Sequence, residues 1–152
     1  FLLLETFQAG LSWITILKKR ENFRKVLDNF NYQKIANYTD KKLLALSSDA
    51  GIIRNKLKIK AAKTNAIAFI EVQKEFGSFS KYIWGFVDGK PIQNNFNNLK
   101  AIPANTLLSD KISADLKKRG FKFVGSTIVY AHMQAMGMIN DHTTDCFRYK
   151  QV

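Results

Sequence analysis

The sequence predicts an all-α protein, and three observations carry that expectation. Apolar residues recur three or four apart through most of the chain, which is the spacing of one helix face. Capping residues and glycines fall between these segments rather than inside them. The strict alternation of a half-buried strand appears nowhere convincingly. With 152 residues and 46% hydrophobic content, the chain is long enough for one compact domain, or for two small helical subdomains sharing a core.

The opening "LLLETFQAGLSW", residues 2–13, is helical in pattern, with Gln8-Ala9-Gly10 set to bend it before Trp13. From Leu11 to Leu27 a second helix is expected, with Leu11, Ile14, Leu17, Phe23 and Leu27 inward and Lys18, Lys19, Arg20 and Arg24 outward. "NYQKIANYTDKKLLALSSD" reads as two short helices, the second capped by Thr39 or Asp40 and burying Leu43, Leu44 and Leu46. After Gly51, "NKLKIKAAKTNAIAFIEVQKEF" is a long helix ending at Gly77. Its expected buried face is Leu57, Ala61, Ala62, Ala66, Phe69 and Ile70, with Lys56, Lys58, Lys60 and Lys63 outside.

"SFSKYIWGFV" is an aromatic helix capped by Ser78 or Ser80. "DGKPIQNNFNNLKAIPAN" is the one long irregular segment, holding both prolines and room for a small extended piece. Its Asn-rich part, residues 94–98, is the nearest thing to a subdomain boundary. Ser109 is expected to cap the next helix, Leu108, Ile112 and Leu116 to line its apolar stripe, and Gly120 to close it. "VGSTIVYAHMQAMGM" is apolar nearly all round, so it reads as a central buried helix.

Composition narrows the function. Lys+Arg number 24 against 12 Asp+Glu, a formal charge of +12, which favours a polyanionic partner, most often nucleic acid. The plainer alternative is a Lys-rich surface kept for solubility. One Cys excludes an internal disulfide framework. Apolar runs fall well short of the roughly 20 residues of a membrane span, and no signal-peptide pattern is seen, so a cytoplasmic protein is expected. The chain opens on Phe1 with a helical pattern already under way, so the sequence is expected to begin inside the natural protein.

Three constellations bear on chemistry. In "LLALSSDAGIIRNKLKIKAAKTNAI" a short glycine-containing turn joins two helices, the layout of a helix-hairpin-helix. Free N–H groups at such a turn hold a phosphate without reading bases, and Arg54, Lys56 and Lys58 add charge. An ordinary helical corner is the alternative, since only Gly51 stands where two glycines are common. In "NDHTTDC", His142 and Cys146 lie four apart, a spacing that lets both reach one zinc ion. Four ligands are wanted, however, and the only other histidine is His132, so on residues alone an isolated thiol stands ahead of half a metal site. In the opening stretch, Glu5 and Trp13 would suit a flat cationic guest, the ring stacking and the acid supplying charge and hydrogen bonds. A solvated Glu5 and a core Trp13 are the alternative.

The blocks "QAGLSWITILKKRENFRKV", "DAGIIRNKLKIKA" and "KKRGFKFVGSTIVYAHMQAMGMINDH", with the terminal His-x-x-x-Cys, resemble the 3-methyladenine DNA glycosylase I family over essentially the whole chain. The resemblance implies an all-α, helix-hairpin-helix DNA glycosylase-like helical bundle. Residues 1–152 would form a single glycosylase domain lacking its N-terminal segment, with the helix-hairpin-helix at about 40–76 and a zinc half-site at 140–147. It puts the base-reading, catalytic glutamate on Glu5, the stacking tryptophan on Trp13 and the hairpin on Asp49 to Arg54. It implies a structural zinc on His142 and Cys146, whose other two ligands, and some pocket aromatics, would precede Phe1. The superfamily's general-base aspartate is absent from relatives of this type, and no replacement stands out here.

The resemblance further implies a monofunctional hydrolase of base-excision repair, acting on N3-methyladenine in duplex DNA. Its residues at Gln8, Gly10 and Leu11 would sit beside the pocket and prop the gap left by the extruded nucleotide. Gly51, Arg54, Lys56 and Lys58 would anchor the backbone. A monomer is expected, with no membrane partner. A DNA- or RNA-holding module without catalysis is the main rival, and incidental surface charge the third reading.

Overall fold

A computed structural model describes residues 1–151. Among these residues the chain forms nine α-helices and one two-stranded sheet: α1 (Leu2–Gln8), α2 (Trp13–Leu17), α3 (Arg20–Val26), α4 (Tyr32–Ala36), α5 (Asp40–Ser48), α6 (Lys56–Phe76), α7 (Phe79–Trp84), β1 (Ile92–Gln93), α8 (Leu107–Lys118), α9 (Ser126–Ala135) and β2 (Ile139–Asn140). The all-α expectation holds, and none of the helices is long and apolar enough to cross a membrane.

Two hydrophobic cores share α6, which at 21 residues is about 32 Å long. Leu4, Phe7, Ile16, Phe23, Leu27, Ile35, Leu46 and Ile52 pack on its first half, through Ile59, Ala62 and Ala66. Ile83, Ile112, Leu116, Phe121, Val129, Met133 and Met138 pack on the second, through Ala68 and Val72. The Asn-rich loop is therefore not where the cores divide. It is stitched to the C-terminal residues instead, Asn94 to Asp141 at 2.7 Å and Asn97 to Thr144 at 3.3 Å.

Several caps fall where the residues place them: Thr39 accepts from Lys42 N–H and Ser78 from Lys81 N–H, and Gly77 ends α6 at φ +80°. The small extended piece is β1, parallel to β2 with Ile92 opposite Ile139. Its partner carries no alternating pattern because two residues are too few to show one.

Several expectations need correction. Leu11, Ile14, Leu17 and Leu44 lie exposed rather than inward. The helix over 11–27 is two, broken at Lys19 (φ −105°, ψ 0°). Leu17 and Phe23 are six apart, which no single helix face accommodates. Thr106, not Ser109, caps α8; Ser109 is the third helical residue and closes a reciprocal capping box, with its Oγ accepting from Thr106 N–H. The face of α6 is also rotated. Leu57 is 70% exposed and Lys58 only 6%, because the phase follows Ile59, Ala62 and Ala66. Lys58 is thus corrected from a solvent-facing residue to a buried one.

Candidate active site

Helix α1 sets Glu5, Thr6 and Gln8 in an otherwise apolar run, and its buried residues are Leu4, Glu5, Thr6 and Phe7. It packs against α6 and α9, and that sandwiching takes Glu5 to 3% exposure. Glu5 Oε2 has no hydrogen-bond partner. Burial pushes the Glu5 carboxyl above its ordinary value, because the charged form loses water without gaining a donor.

The chain then bends as the sequence implies. Gly10 sits at φ +77°, a conformation that glycine adopts without strain, and Leu11 N–H donates to the carbonyl of Gln8 at 2.6 Å. The bend brings Trp13, the first residue of α2, back to the same cavity as Glu5. The cavity has a volume of about 660 Å³, and its walls include Glu5, Gln8, Trp13, Gln134, Asp141 and Arg148. That volume lies within the range of small-molecule sites. A flat guest can stack on an indole there while a buried carboxylate meets its edge.

Gly10 and Leu11 lie exposed on the bend. Gly51 and Arg54 lie instead in the turn between α5 and α6, Lys56 is the first residue of α6, and none of them lines the cavity. The turn is built locally. Asp49 Oδ1 accepts from Gly51 N–H at 2.7 Å, and Asn55 caps α6 by accepting from Lys58 N–H at 3.1 Å. A Cβ on Gly51 would sit 2.9 Å from Asp49 Oδ1 and 3.3 Å from Asn22, so only glycine fits without displacement. Arg54 and Lys56 are exposed. Lys58 works inward: its ammonium donates to the carbonyls of Phe7 at 2.8 Å and Ala9 at 2.5 Å. It joins α6 to the end of the helix carrying Glu5.

The zinc expectation is overturned. His142 Nδ1 and Cys146 Sγ do meet, 3.5 Å apart. They meet as a pair, and among the described residues no group of three or more His, Cys, Asp or Glu side chains could hold a metal ion. Two side chains hydrogen-bonded to each other do not make the four-ligand shell of a structural zinc.

The structure also assembles residues that sequence reasoning did not single out. Asp141, 8% exposed, accepts from Asn94 Nδ2 at 2.7 Å, Tyr130 Oη at 2.7 Å and Gln134 Nε2 at 2.8 Å. Tyr130's hydroxyl is pushed well above its usual range, first by burial and then by this carboxylate. Asp141 lies within the "MINDH" block, but its partners come from α9 and the irregular loop, so no local spacing marks it. His132 is buried elsewhere, in the wall of an apolar cavity of about 390 Å³ with Phe30, Tyr32, Phe69 and Trp84. Burial lowers its pKa to about 4, and its Nδ1 has no hydrogen-bond partner.

The arrangement matches known proteins over nearly its full extent. The DNA-3-methyladenine glycosylase of Haemophilus influenzae is 46% identical over 143 residues, covering 94% of this chain and 77% of that protein. DNA-3-methyladenine glycosylase 1 of Escherichia coli is 46% identical over 146 residues, covering 96% and 78%. A crystal structure of a 3-methyladenine DNA glycosylase I superimposes with a TM-score of 0.93 at 46% identity, covering 96% of this chain and 80% of that one. The Staphylococcus aureus glycosylase, solved to explain its recognition of 3-methyladenine, gives a TM-score of 0.93 at 33% identity, covering 96% and 78%. The profile described as methyladenine glycosylase matches residues 1–149, and with that span the chain belongs to the methyladenine glycosylase family.

Proposed function

We propose that Glu5 and Trp13 form the base-reading pocket through which this chain performs its family's reaction, the excision of 3-methyladenine from DNA in base-excision repair. The observation that carries the assignment is the Glu5 carboxylate, 3% exposed, with Oε2 unpartnered in a cavity walled by Trp13. An unpaired buried carboxylate is costly, and a cationic base carrying N–H groups removes that cost.

The chemistry follows from the substrate's charge. N3-methyladenine is already cationic, so it leaves without needing a proton from the protein. The glycosidic C–N bond breaks, its electron pair goes to the base, and the positive charge moves to the sugar. Water adds to that carbon and gives up a proton. No lysine nucleophile is required, so the enzyme is monofunctional. Glu5 accepts from the base edge and Trp13 stacks on its face. Gln8, Gly10 and Leu11 support the gap left in the duplex. Gly51, Arg54 and Lys56, in the helix-hairpin-helix of residues 40–76, hold phosphates. The protein acts as a monomer in the cytoplasm, residues 1–152 forming one helical domain.

The test is chromatography of bases released from methylated duplex DNA by the protein and by Glu5→Gln. Release of 3-methyladenine falls by roughly a hundredfold in the variant, while duplex affinity stays within about threefold. Equal release from both would remove Glu5 from the reaction. Bound duplex with no release from either would leave a binding module.

A further inference from the structure

We propose that Gln134, locked in one orientation by Asp141, makes the pocket prefer a base with an exocyclic amine over one with a carbonyl at the same ring position. This rests on the glycosylase reading above and adds which base edge the pocket accepts.

A glutamine amide has a donor end and an acceptor end, and a side chain free to rotate offers either, so alone it discriminates nothing. Gln134 is not free. It stands in the last turn of α9 (Ser126–Ala135), in the wall of the cavity shared by Glu5 and Trp13. Its Nε2 lies 2.8 Å from Asp141 Oδ2. An ionised carboxylate only accepts, so the end facing it must be the donor. Asp141 is itself fixed, because Tyr130 Oη donates to the same oxygen and Asn94 Nδ2 to the other, each at 2.7 Å. These partners come from two separate parts of the chain, α9 and the loop after β1. Asp141 therefore cannot swing away to let the amide turn over.

The carbonyl end of Gln134 is left for a guest: among the described residues its side chain bonds through Nε2, to Asp141. With the Glu5 carboxylate, the cavity then offers acceptors to the base. An adenine presents an amine with two N–H groups at the position where a guanine presents a carbonyl oxygen. The first is satisfied by Gln134; the second sets lone pair against lone pair. Asp141 touches no base in this arrangement. It is a positioning residue that acts through Gln134.

The experiment measures release of 3-methyladenine and 3-methylguanine from the same methylated duplex DNA. The protein is compared with Gln134→Ala, Asp141→Asn and the double variant. The preference for 3-methyladenine falls about tenfold in Gln134→Ala, the worth of one hydrogen bond. Asp141→Asn lowers it as far, because an asparagine lets the glutamine amide turn, and the double variant loses no more than either alone. An unchanged ratio in Gln134→Ala overturns the proposal, as does an Asp141→Asn that slows both bases equally. Should Asp141→Asn fail to fold, Gln134→Ala decides alone, its side chain being exposed. Release of neither base by the unsubstituted protein would remove the glycosylase reading, and this inference with it.

Discussion

Glu5 and Asp141 are two buried carboxylates in one cavity with opposite circumstances. Asp141 has three donors, whereas Glu5 Oε2 has none. A carboxylate with its partners in place is part of the scaffold; one left open is poised for a partner yet to arrive. The difference has a measurable consequence in the free protein. Because burial raises the Glu5 pKa in the folded state, the folded chain keeps a proton there after the unfolded chain has lost it. The folded state thus binds more protons from just above the ordinary carboxylate value of about 4.3 upward, so Glu5 costs stability as pH rises through that window. Thermal melting of Glu5→Gln should exceed that of the parent at pH 8, with the gap closing toward pH 4. A variant melting below the parent at pH 8 would show that Glu5 already has a partner. His132 runs the other way: burial lowers its pKa to about 4, which keeps a neutral imidazole in an apolar wall near neutral pH.

Among the elements, α1 depends on its neighbours in a way that can be tested. Seven residues are too few to hold a helix in water, and its last carbonyls face inward with no helical partner. Lys58 supplies that partner from α6, donating to Phe7 and Ala9, and its positive charge suits the negative end of the helix. Burial lowers the Lys58 pKa, and the carbonyls offset part of that penalty. Lys58→Ala should cost roughly 1–3 kcal/mol, the penalty of leaving buried carbonyls unpaired, and should slow base release by loosening the helix that carries Glu5. Urea unfolding and the base-release assay read both effects. A variant with unchanged midpoint would mean that water caps α1 equally well. Periodicity put this lysine in solvent because lysines on either side of it are solvated. What opposes a helix face is not written in that helix.

For the molecule as a whole, charge and pocket pull in opposite directions. The chain carries +12, yet its cavity is lined by two carboxylates, Glu5 and Asp141, against one arginine, Arg148. That division suits a polyanionic backbone outside and a cationic base within. If phosphates are held by the basic surface, duplex affinity should fall linearly on a logarithmic salt axis, losing on the order of 10³-fold or more between 50 and 200 mM salt for six or more contacts. Substituting Arg54 or Lys56 by Ala should reduce the slope by about one each. A slope near zero would mean that the surplus charge serves solubility alone.

The helical character, most boundaries, the Gln8–Gly10 bend and the pairing of Glu5 with Trp13 were legible in the chain itself. Each depends on residues within about a dozen positions, where helix periodicity and backbone preference act directly. The quoted blocks also carried the family, because they are long and unusual in composition. Tertiary packing decided the rest. It turned Lys58 inward, since α1's open carbonyls lie opposite it, and it left His142 and Cys146 as a hydrogen-bonded pair. It also gathered Asn94, Tyr130 and Gln134 around the Asp141 carboxylate. The cost of an unpaired buried polar group decides such placements, and whether a group is paired depends on elements distant in the chain.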